Sequence, residues 1–336
     1  MIFFREADLS CAVEGKKTVS AWLKSVVKSH GKILGEICIV SCSDNHLLEV
    51  NKKHLNQIKY YAKKNNFLNK LYIFEHHLSH AASAFFFSPF KESYVFTFDG
   101  KGDFKSASCF FGKKNSFVEK NYLTTFDSLG YFYSNITKAL GFKEERHEGK
   151  ITGLAAFGKK TSLIKYFESF IKFKNSKIHI ELGEDYQPFF CNQKHIPNLY
   201  KKIKNYSKED TAYAAQFILE KYISKWIISN IPKSKKINIS LAGGVFANVK
   251  LNQKIREIKN VNSVYVHPAM GDAGLTLGSS AAYLILEKKR KGKFLTSVSL
   301  GQNYSNLEIE DFLKKNNIKY NIVKDISHSL YNDINS

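Results

Sequence analysis

Cysteine is scarce in this sequence, and its placement excludes two common uses of the residue. Five cysteines occur among 336 residues, and they are scattered: Cys11, Cys38, Cys42, Cys109 and Cys191. Their number is odd and no two form a C-x-x-C pair. We therefore expect neither a disulfide framework nor a thiolate zinc site, and we interpret the cysteines as reduced structural residues.

Long apolar runs are also missing. No stretch approaches the roughly 20 uninterrupted apolar residues that a membrane span requires, although 43% of all residues are apolar. The opening Met1-Ile2-Phe3-Phe4-Arg5 lacks the ordered basic, apolar and small-residue regions of a secretory signal. The sequence therefore predicts a cytoplasmic protein without a membrane partner, with a sizeable core in an α/β unit of two lobes.

Acidic residues are few relative to basic ones. The sequence has 30 Asp and Glu against 51 Lys and Arg, which gives a formal net charge of +21. Such an excess can attract nucleic acid, but here the lysines are spread along the chain and accompany abundant Asn, Ile, Phe and Tyr, as in an A/T-rich gene. We expect no specific nucleic-acid partner, and a basic surface that favours anionic small ligands such as ATP.

The most informative motif is His76-His77-Leu78-Ser79-His80. In a helix, His76 and His80 lie one turn apart on the same face. Asp99 follows an apolar strand and Asp272 lies in a later glycine-rich turn, so two imidazoles and two carboxylates can hold Fe(II), Zn(II) or Mn(II). A zinc-protease helix needs Glu directly after the first His, where this sequence has His77, so proteolysis is disfavoured.

Glycine-rich turns after apolar strands predict nucleotide binding. A strand over 94–98 runs into a turn where Gly100 and Gly102, at a hairpin tip, let main-chain N–H groups approach a phosphate. A strand over 237–241 passes through Gly243 and Gly244 to Asn248 and a helix, and the strand over 264–267 leads to a similar turn and helix. Two such turns on adjacent strands can frame a nucleotide. For the first turn, an ordinary Asp-Gly turn is the alternative.

Two further segments have a predicted role. Lys150, in a glycine-bounded loop over 147–158, can neutralise a phosphate or the carbonyl oxygen of an acyl group, and Glu148 can orient it. The alternative is that both are surface residues. The amphipathic helix over 211–231 is interpreted as core packing.

Six ordered blocks together resemble a known family. Residues 75–87, 98–103, 128–137, 148–158, 241–252 and 271–282 resemble the N-terminal lobe of the O-carbamoyltransferases of nodulation-factor and antibiotic biosynthesis. The resemblance covers roughly residues 35 to 310. It implies an α/β, two-lobed, actin-like and sugar-kinase-like nucleotide-binding fold, shared with the proteins that make threonylcarbamoyladenosine on tRNA.

The resemblance also implies a two-step reaction. In the family, a C-terminal adenylate-forming lobe makes carbamoyl adenylate from carbamoyl phosphate and ATP, and the N-terminal lobe transfers the carbamoyl group to a hydroxyl of a sugar or natural product. By motif, the metal ligands are His76, His80, Asp99 and Asp272, with Fe(II) expected first, and the nucleotide-binding turn is Gly243, Gly244 and Asn248. His77 is then a candidate base for the acceptor hydroxyl, with a packing role as the alternative.

Two departures from the family pattern shape the expected organisation. The first N-terminal phosphate-binding hairpin has no recognisable equivalent, and the sequence ends at Ser336, where the family continues into the adenylate-forming lobe. We expect a first lobe over 1–150, a second lobe over 151–300 and the start of a linker over 301–336. Alternatives to carbamoyl transfer are a non-catalytic or truncated nucleotide-binding paralogue, a tRNA threonylcarbamoyl transferase and a small-molecule kinase, the last disfavoured by the His pair.

Overall fold

The computed structural model describes residues 2–4, 37–41, 56, 59–60, 62–64, 66, 68–113, 116–188, 198–290, 292, 294–298 and 303–335. Its strands are β1 Ile2–Phe4, β2 Ile37–Ser41, β3 Leu71–Glu75, β4 Glu92–Gly102, β5 Lys105–Lys113, β6 Ser116–Thr124, β7 Ile171–Lys174, β8 Lys177–Ile180, β9 Ile237–Ala242 and β10 Val261–Val266. Its helices are α1 His76–Phe86, α2 Leu129–Ala139, α3 Glu148–Leu154, α4 Leu163–Phe170, α5 Asn198–Ile203, α6 Lys208–Asn230, α7 Val249–Arg256, α8 Leu275–Leu286, α9 Asn306–Lys315 and α10 Ile326–Asn335.

A five-stranded sheet in the order β10-β9-β4-β5-β6 forms the centre of the fold. Strands β4, β5 and β6 form an antiparallel meander, whereas β9 is parallel to β4 and β10 is parallel to β9. A three-stranded meander extended by two parallel strands is the arrangement of a lobe of the actin-like fold. The predicted α/β, actin-like class is confirmed. The remaining described strands form a parallel sheet, β1-β2-β3, and a β7-β8 hairpin.

Both faces of the five-stranded sheet are covered, which explains why β4 reads as an almost continuous apolar run. On one face, Phe96 and Phe98 meet the edge of Trp226 in α6, with ring centroids 5.6 and 5.1 Å apart. On the other face, Val95 belongs to a buried cluster that includes Phe85 of α1 and Tyr283 of α8. The prediction that the helix near 211–231 packs into the core is confirmed.

The sheet also fixes where a ligand site can form. Because β4, β9 and β10 are parallel, their carboxyl ends meet at one edge, and ligands of open α/β sheets bind outside that edge. Asp99 lies two residues beyond Thr97, the last β4 residue paired with β9. Gly243 follows β9, and Asp272 lies in the turn beyond β10. Residues far apart in sequence are thus gathered at the same place.

Two local predictions need correction. Gly100 and Gly102 do not form the hairpin tip, because β4 continues to Gly102, which pairs with Lys105, and the turn is made by Asp103 and Phe104 with φ of 50° and 66°. Residues 147–158 are not a loop either. They form α3 and a 3-10 turn over Ala155–Phe157, with Glu148 in the first helical turn, where a carboxylate is favoured by the helix dipole.

The structure separates into two compact units, Met1–Leu295 and Thr296–Ser336. The first contains the sheets and α1 to α8, and strands from both sides of residue 150 share one sheet. The two-lobe division at residue 150 and the linker over 301–336 stay predictions. The second unit contains α9, which begins with a capping box between Ser305 and Glu308, and α10. The predicted absence of a first hairpin concerns residues largely outside those described.

Among the described residues, none of the helices is both long enough and apolar enough to cross a membrane.

Candidate metal centre and its cavity

Helix α1 carries the histidine motif and is held firmly at its first turn. The Glu75 side chain accepts a hydrogen bond from the Leu78 N–H at 2.8 Å, which caps the helix. The His76 N–H donates to Asp103 Oδ2 at 2.7 Å, which ties the helix to the β4–β5 turn. The small residues of α1 allow α8 to approach so closely that a Cβ on Gly278 would collide with the Ser79 backbone.

The four predicted metal ligands converge. One ligand atom from each of His76, His80, Asp99 and Asp272 lies within 4.8 Å of the others. His80 Nε2 is 3.2 Å from Asp99 Oδ2 and 3.4 Å from Asp272 Oδ1. His76 Nε2 is 3.8 and 3.7 Å from the same two oxygens. The helix brings the imidazoles together, and the sheet edge brings the carboxylates to them.

The two imidazoles have buried nitrogens that require a partner. His76 is 3% exposed and His80 is 0% exposed, and none of their ring nitrogens makes a hydrogen bond of acceptable geometry within the described part of the chain. Buried polar atoms in this state are costly unless something pairs with them. A donor set of two imidazoles and two carboxylates suits a divalent transition metal, so the residues fit the ion that the sequence predicts.

Charges within the cluster shift the ionisation of its members. Burial alone would lower the pKa of His80, but Asp272 and Asp99 beside it raise that pKa to about 9. Burial alone would raise the pKa of Asp99, but the neighbouring His76 and His80 hold it well below its ordinary value. Asp99 is therefore a carboxylate across the neutral pH range, as a metal ligand must be.

The Asp99 carboxylate is oriented by the two glycine turns. Oδ1 accepts from the Gly100 N–H at 2.8 Å, and Oδ2 accepts from the Gly244 N–H at 3.2 Å. Gly243 has φ of +103°, and a Cβ there would collide with the Phe98 carbonyl oxygen, so only glycine lets the turn approach β4 this closely. Gly100 and Gly244 border the cavity described below. Their placement adds a ligand-orienting role to the predicted nucleotide contacts.

Gly102 lies elsewhere than predicted for a phosphate contact. It is buried beneath His76, and a Cβ there would collide with the His76 ring. It is absent from the cavity lining. Gly102 therefore leaves room for the His76 imidazole, one of the predicted metal ligands.

His77 does not face the cavity. Its Nε2–H donates to the Lys105 carbonyl at 3.1 Å, and its Nδ1 is 2.7 Å from the Thr97 hydroxyl, from which it accepts in this tautomer. The side chain is completely buried, and burial together with His76 and His80 lowers its pKa well below 6.5. The His77 side chain points from α1 toward β4 and β5, where both of its ring nitrogens are hydrogen-bonded. It therefore has no free nitrogen for the predicted role of base.

Lys150 is also placed away from the cavity. It is exposed on α3, and its ammonium lies 5.5 Å from the centre of the Phe142 ring. The cations that border the cavity are Lys101 and Arg146. The sequence analysis assigned no role to either residue, although Lys101 lies between Gly100 and Gly102 and Arg146 directly precedes the segment 147–158.

The metal cluster opens into a cavity of about 710 Å³, a volume typical of small-molecule sites. Its walls combine three of the four predicted metal ligands, two glycine turns, two cations and a polar wall from α2, α3 and the start of α7. These lining residues include His76, Asp99, Asp272, Gly100, Gly244, Lys101, Arg146, Tyr133, Glu145, Glu148, Thr152 and Asn248.

Asn248 is part of a closed hydrogen-bond network in that polar wall. Its Nδ2 donates to Gln216 Oε1 at 2.8 Å and to Thr152 Oγ1 at 3.2 Å. Its Oδ1 accepts from Gln216 Nε2 and from the Leu251 N–H, the latter as the N-cap of α7. The Tyr133 hydroxyl donates to the same Gln216 oxygen at 2.9 Å. Asn248 borders the cavity as predicted, but its amide is already occupied by protein partners.

Three curated proteins illustrate what the chain is similar to. It is 33% identical over 276 residues to the uncharacterized protein MJ1058 of Methanocaldococcus jannaschii, covering 76% of this chain and 44% of that protein. It is 32% identical over 220 residues to the nodulation protein NolNO of Sinorhizobium fredii, covering 61% of this chain and 30% of that protein. The chain thus spans less than half the length of these relatives. A short match to endoribonuclease YbeY of Bacteroides thetaiotaomicron, 48% identical over 47 residues, covers 14% of this chain and 34% of that protein, too little to show a family.

Among solved structures, HypF of T. kodakarensis aligns over 81% of this chain and 43% of its own, with a TM-score of 0.42 and 13% identity. The family model described as the carbamoyltransferase N-terminus matches residues 15–282, which is most of the chain. That span contains all four clustered ligands and the cavity walls. The chain therefore belongs to the carbamoyltransferase family through its N-terminal domain.

Proposed function

We propose that this chain transfers a carbamoyl group from carbamoyl adenylate to a hydroxyl group of a sugar or natural product. The observation that carries the proposal is the convergence of His76, His80, Asp99 and Asp272 at the floor of a large polar cavity, in a chain of the carbamoyltransferase family. The proposed cofactor is a divalent ion held by these four residues, with Fe(II) first and Zn(II) or Mn(II) as alternatives. When bound, the ion would supply Lewis acidity to a carbonyl or phosphate oxygen.

The chain's own residues support binding of an adenylate. Lys101 and Arg146 border the cavity and supply positive charge for a phosphate. Gly100 and Gly244 leave the backbone bare at the same wall, so a ligand can approach it closely. Because the N–H groups of both glycines already hold Asp99, we assign the phosphate contacts mainly to the two cations.

The proposed transfer step exchanges one carbon–oxygen bond for another. The oxygen of the acceptor hydroxyl forms a bond to the carbamoyl carbon, and the bond between that carbon and the bridging phosphate oxygen breaks. The electron pair leaves on the phosphate oxygen of AMP, and the hydroxyl proton passes to a base. Following the family resemblance, we assign the synthesis of carbamoyl adenylate from carbamoyl phosphate and ATP to an adenylate-forming lobe and not to the cavity described here.

The proposal is tested by calorimetric titration of a non-hydrolysable carbamoyl-adenylate analogue into the metal-loaded chain. We expect binding that needs the metal and is lost in Asp99→Ala. The matched control is Asp185→Ala, because Asp185 accepts a hydrogen bond from the Tyr166 hydroxyl and does not border the cavity.

Two results would contradict the proposal. Equal binding with and without metal, or in wild type and Asp99→Ala alike, would remove the metal cluster from the site. No binding of the analogue to the loaded wild-type chain would leave a non-catalytic member of the family.

A further inference from the structure

Glu145 borders the same cavity as the metal cluster, in the connection between α2 and α3. It is neither one of the four predicted metal ligands nor one of the two cations assigned to the phosphate. It is exposed, and therefore accessible to a molecule in the cavity. It also lies close enough to Asp99 for the two charges to interact.

The backbone at Glu145 adopts an unusual conformation that a hydrogen bond to a neighbouring side chain stabilises. Its φ is +62°, in the left-handed region that residues other than glycine rarely adopt. Its N–H donates to Glu148 Oε1 at 2.7 Å, and the same oxygen accepts from the Ser134 hydroxyl at 2.9 Å. Backbone strain of this kind concentrates at functional sites. Glu148, predicted to orient Lys150, instead fixes the position of Glu145.

Most of the other acid–base groups that line the cavity have tasks that compete with proton transfer, and Tyr131, which also lines it, is a buried phenol packed beside Gly100. His76, Asp99 and Asp272 form the metal cluster. Glu148 is engaged by two donors, and the Tyr133 hydroxyl donates to Gln216. Lys101 and Arg146 are cations. Glu145 is the cavity carboxylate for which neither the metal cluster nor the hydrogen-bond network accounts.

The electrostatic surroundings of Glu145 favour a role in accepting a proton. Although the residue is exposed, neighbouring protein atoms partly desolvate its carboxyl group and raise its pKa, and the charges of Glu148, Glu144 and Asp99 raise it further, while Lys101 acts in the opposite direction. A carboxylate whose proton affinity is raised is a better general base than an ordinary surface carboxylate.

We propose that Glu145 is the base that takes the proton from the acceptor hydroxyl, an inference that rests on the proposed transfer reaction. As the acceptor oxygen bonds to the carbamoyl carbon, its proton moves to the Glu145 carboxylate. AMP leaves with the electron pair of the broken carbon–oxygen bond. Glu145 then releases the proton to solvent, so the enzyme returns to its starting state.

The test compares two kinds of acceptor with chemically prepared carbamoyl adenylate and the metal-loaded full chain. A panel of monosaccharides and methanol supplies hydroxyl acceptors, and hydroxylamine supplies a nitrogen that attacks without prior deprotonation. In Glu145→Gln we expect kcat for the best hydroxyl acceptor to fall about 100-fold, the scale of general-base catalysis. Carbamoyl transfer to hydroxylamine should stay within about threefold of wild type.

The matched control is Glu257→Gln, because Glu257 pairs with Lys254, does not border the cavity and does not act on Glu145. It should leave both activities unchanged, and the acid limb of the pH profile of kcat should disappear only in Glu145→Gln. A hydroxyl kcat within threefold of wild type in Glu145→Gln would overturn the inference, and so would a parallel loss with both acceptors. Failure of wild type with every acceptor would instead overturn the proposed transfer function itself.

Discussion

At the scale of single residues, the position of Gly102 shows how tightly a ligand imidazole is packed. A methyl group there would collide with the Cβ and ring of His76. We expect Gly102→Ala to destabilise the fold by about 1 to 3 kcal/mol, as overpacking of a core does. We also expect at least a tenfold weaker affinity for the divalent metal, because His76 must move. Urea unfolding and metal titration measure the two effects.

Gly153→Ala is the matched control for that substitution. Gly153 is an exposed residue of α3, and a Cβ there would meet no atom within 4 Å. Alanine favours a helix over glycine by about 0.5 to 1 kcal/mol, so the control should be neutral or slightly stabilising. If both variants bound metal with wild-type affinity, Gly102 would not position His76.

The buried His267 should make the free energy of unfolding depend on pH. It is buried after β10, and burial lowers its pKa below 6.5. The unfolded chain takes up a proton near pH 6.5, while the folded chain keeps this imidazole neutral to lower pH. Stability is therefore lost as pH falls below about 6.5, by up to about 1.4 kcal/mol per pH unit from this residue. In His267→Phe we expect a correspondingly shallower dependence of the unfolding free energy between pH 6.5 and 5. An unchanged slope would contradict the assignment.

At the scale of elements, Asn248 joins the start of α7 to the polar wall of the cavity. Its side chain caps the helix and forms a reciprocal amide pair with Gln216. Asn248→Ala should lower the unfolding free energy by about 2 to 3 kcal/mol, because the cap is lost and the Gln216 amide loses its partner. Ser207→Ala removes only the cap of α6 and should cost about 1 kcal/mol. Equal losses in urea unfolding would mean that the amide pair contributes nothing.

At the scale of the whole molecule, the site lies entirely within one compact unit. All four clustered ligands and the lining of the cavity belong to Met1–Leu295. A chain that ends at Leu295 should therefore unfold cooperatively and bind the divalent metal within about threefold of the full chain. Metal titration and urea unfolding of the shortened chain measure this. A tenfold loss of affinity would show that Thr296–Ser336 supports the site.

Much of the fold could be predicted because its signals are local. Helix α1 contains the histidine pair as predicted, helices α7 and α8 follow the two glycine-rich turns as predicted, and β9 begins as predicted at Ile237. Apolar runs bounded by glycine or asparagine mark such starts reliably. The predicted hairpin tip lies too early in the sequence because two glycines suggest a turn. The hydrogen-bonded pairing of β4 with β5 instead continues to Gly102, and the turn follows it.

The direction in which a side chain points was harder to predict than the secondary structure. Residue type alone suggested that His77 is a base and that Lys150 neutralises a phosphate or carbonyl oxygen. In the structure, His77 is hydrogen-bonded inside the protein and Lys150 lies over the Phe142 ring. Glu145 and Arg146 received no role, because nothing local distinguishes a cavity carboxylate or guanidinium from a surface one. Which way a side chain faces depends on the packing of its whole element.

The sequence by itself determined the chemistry available: two histidines one helical turn apart, strands that end in Asp and Gly, and a family resemblance carried by ordered motifs. These follow from helical periodicity and turn preferences, which act over a few residues. Only the tertiary structure decided that Asp99 and Asp272 reach the same histidines, and which charges face the cavity. Both depend on parallel pairing of β4, β9 and β10, a contact between distant segments that no local pattern encodes.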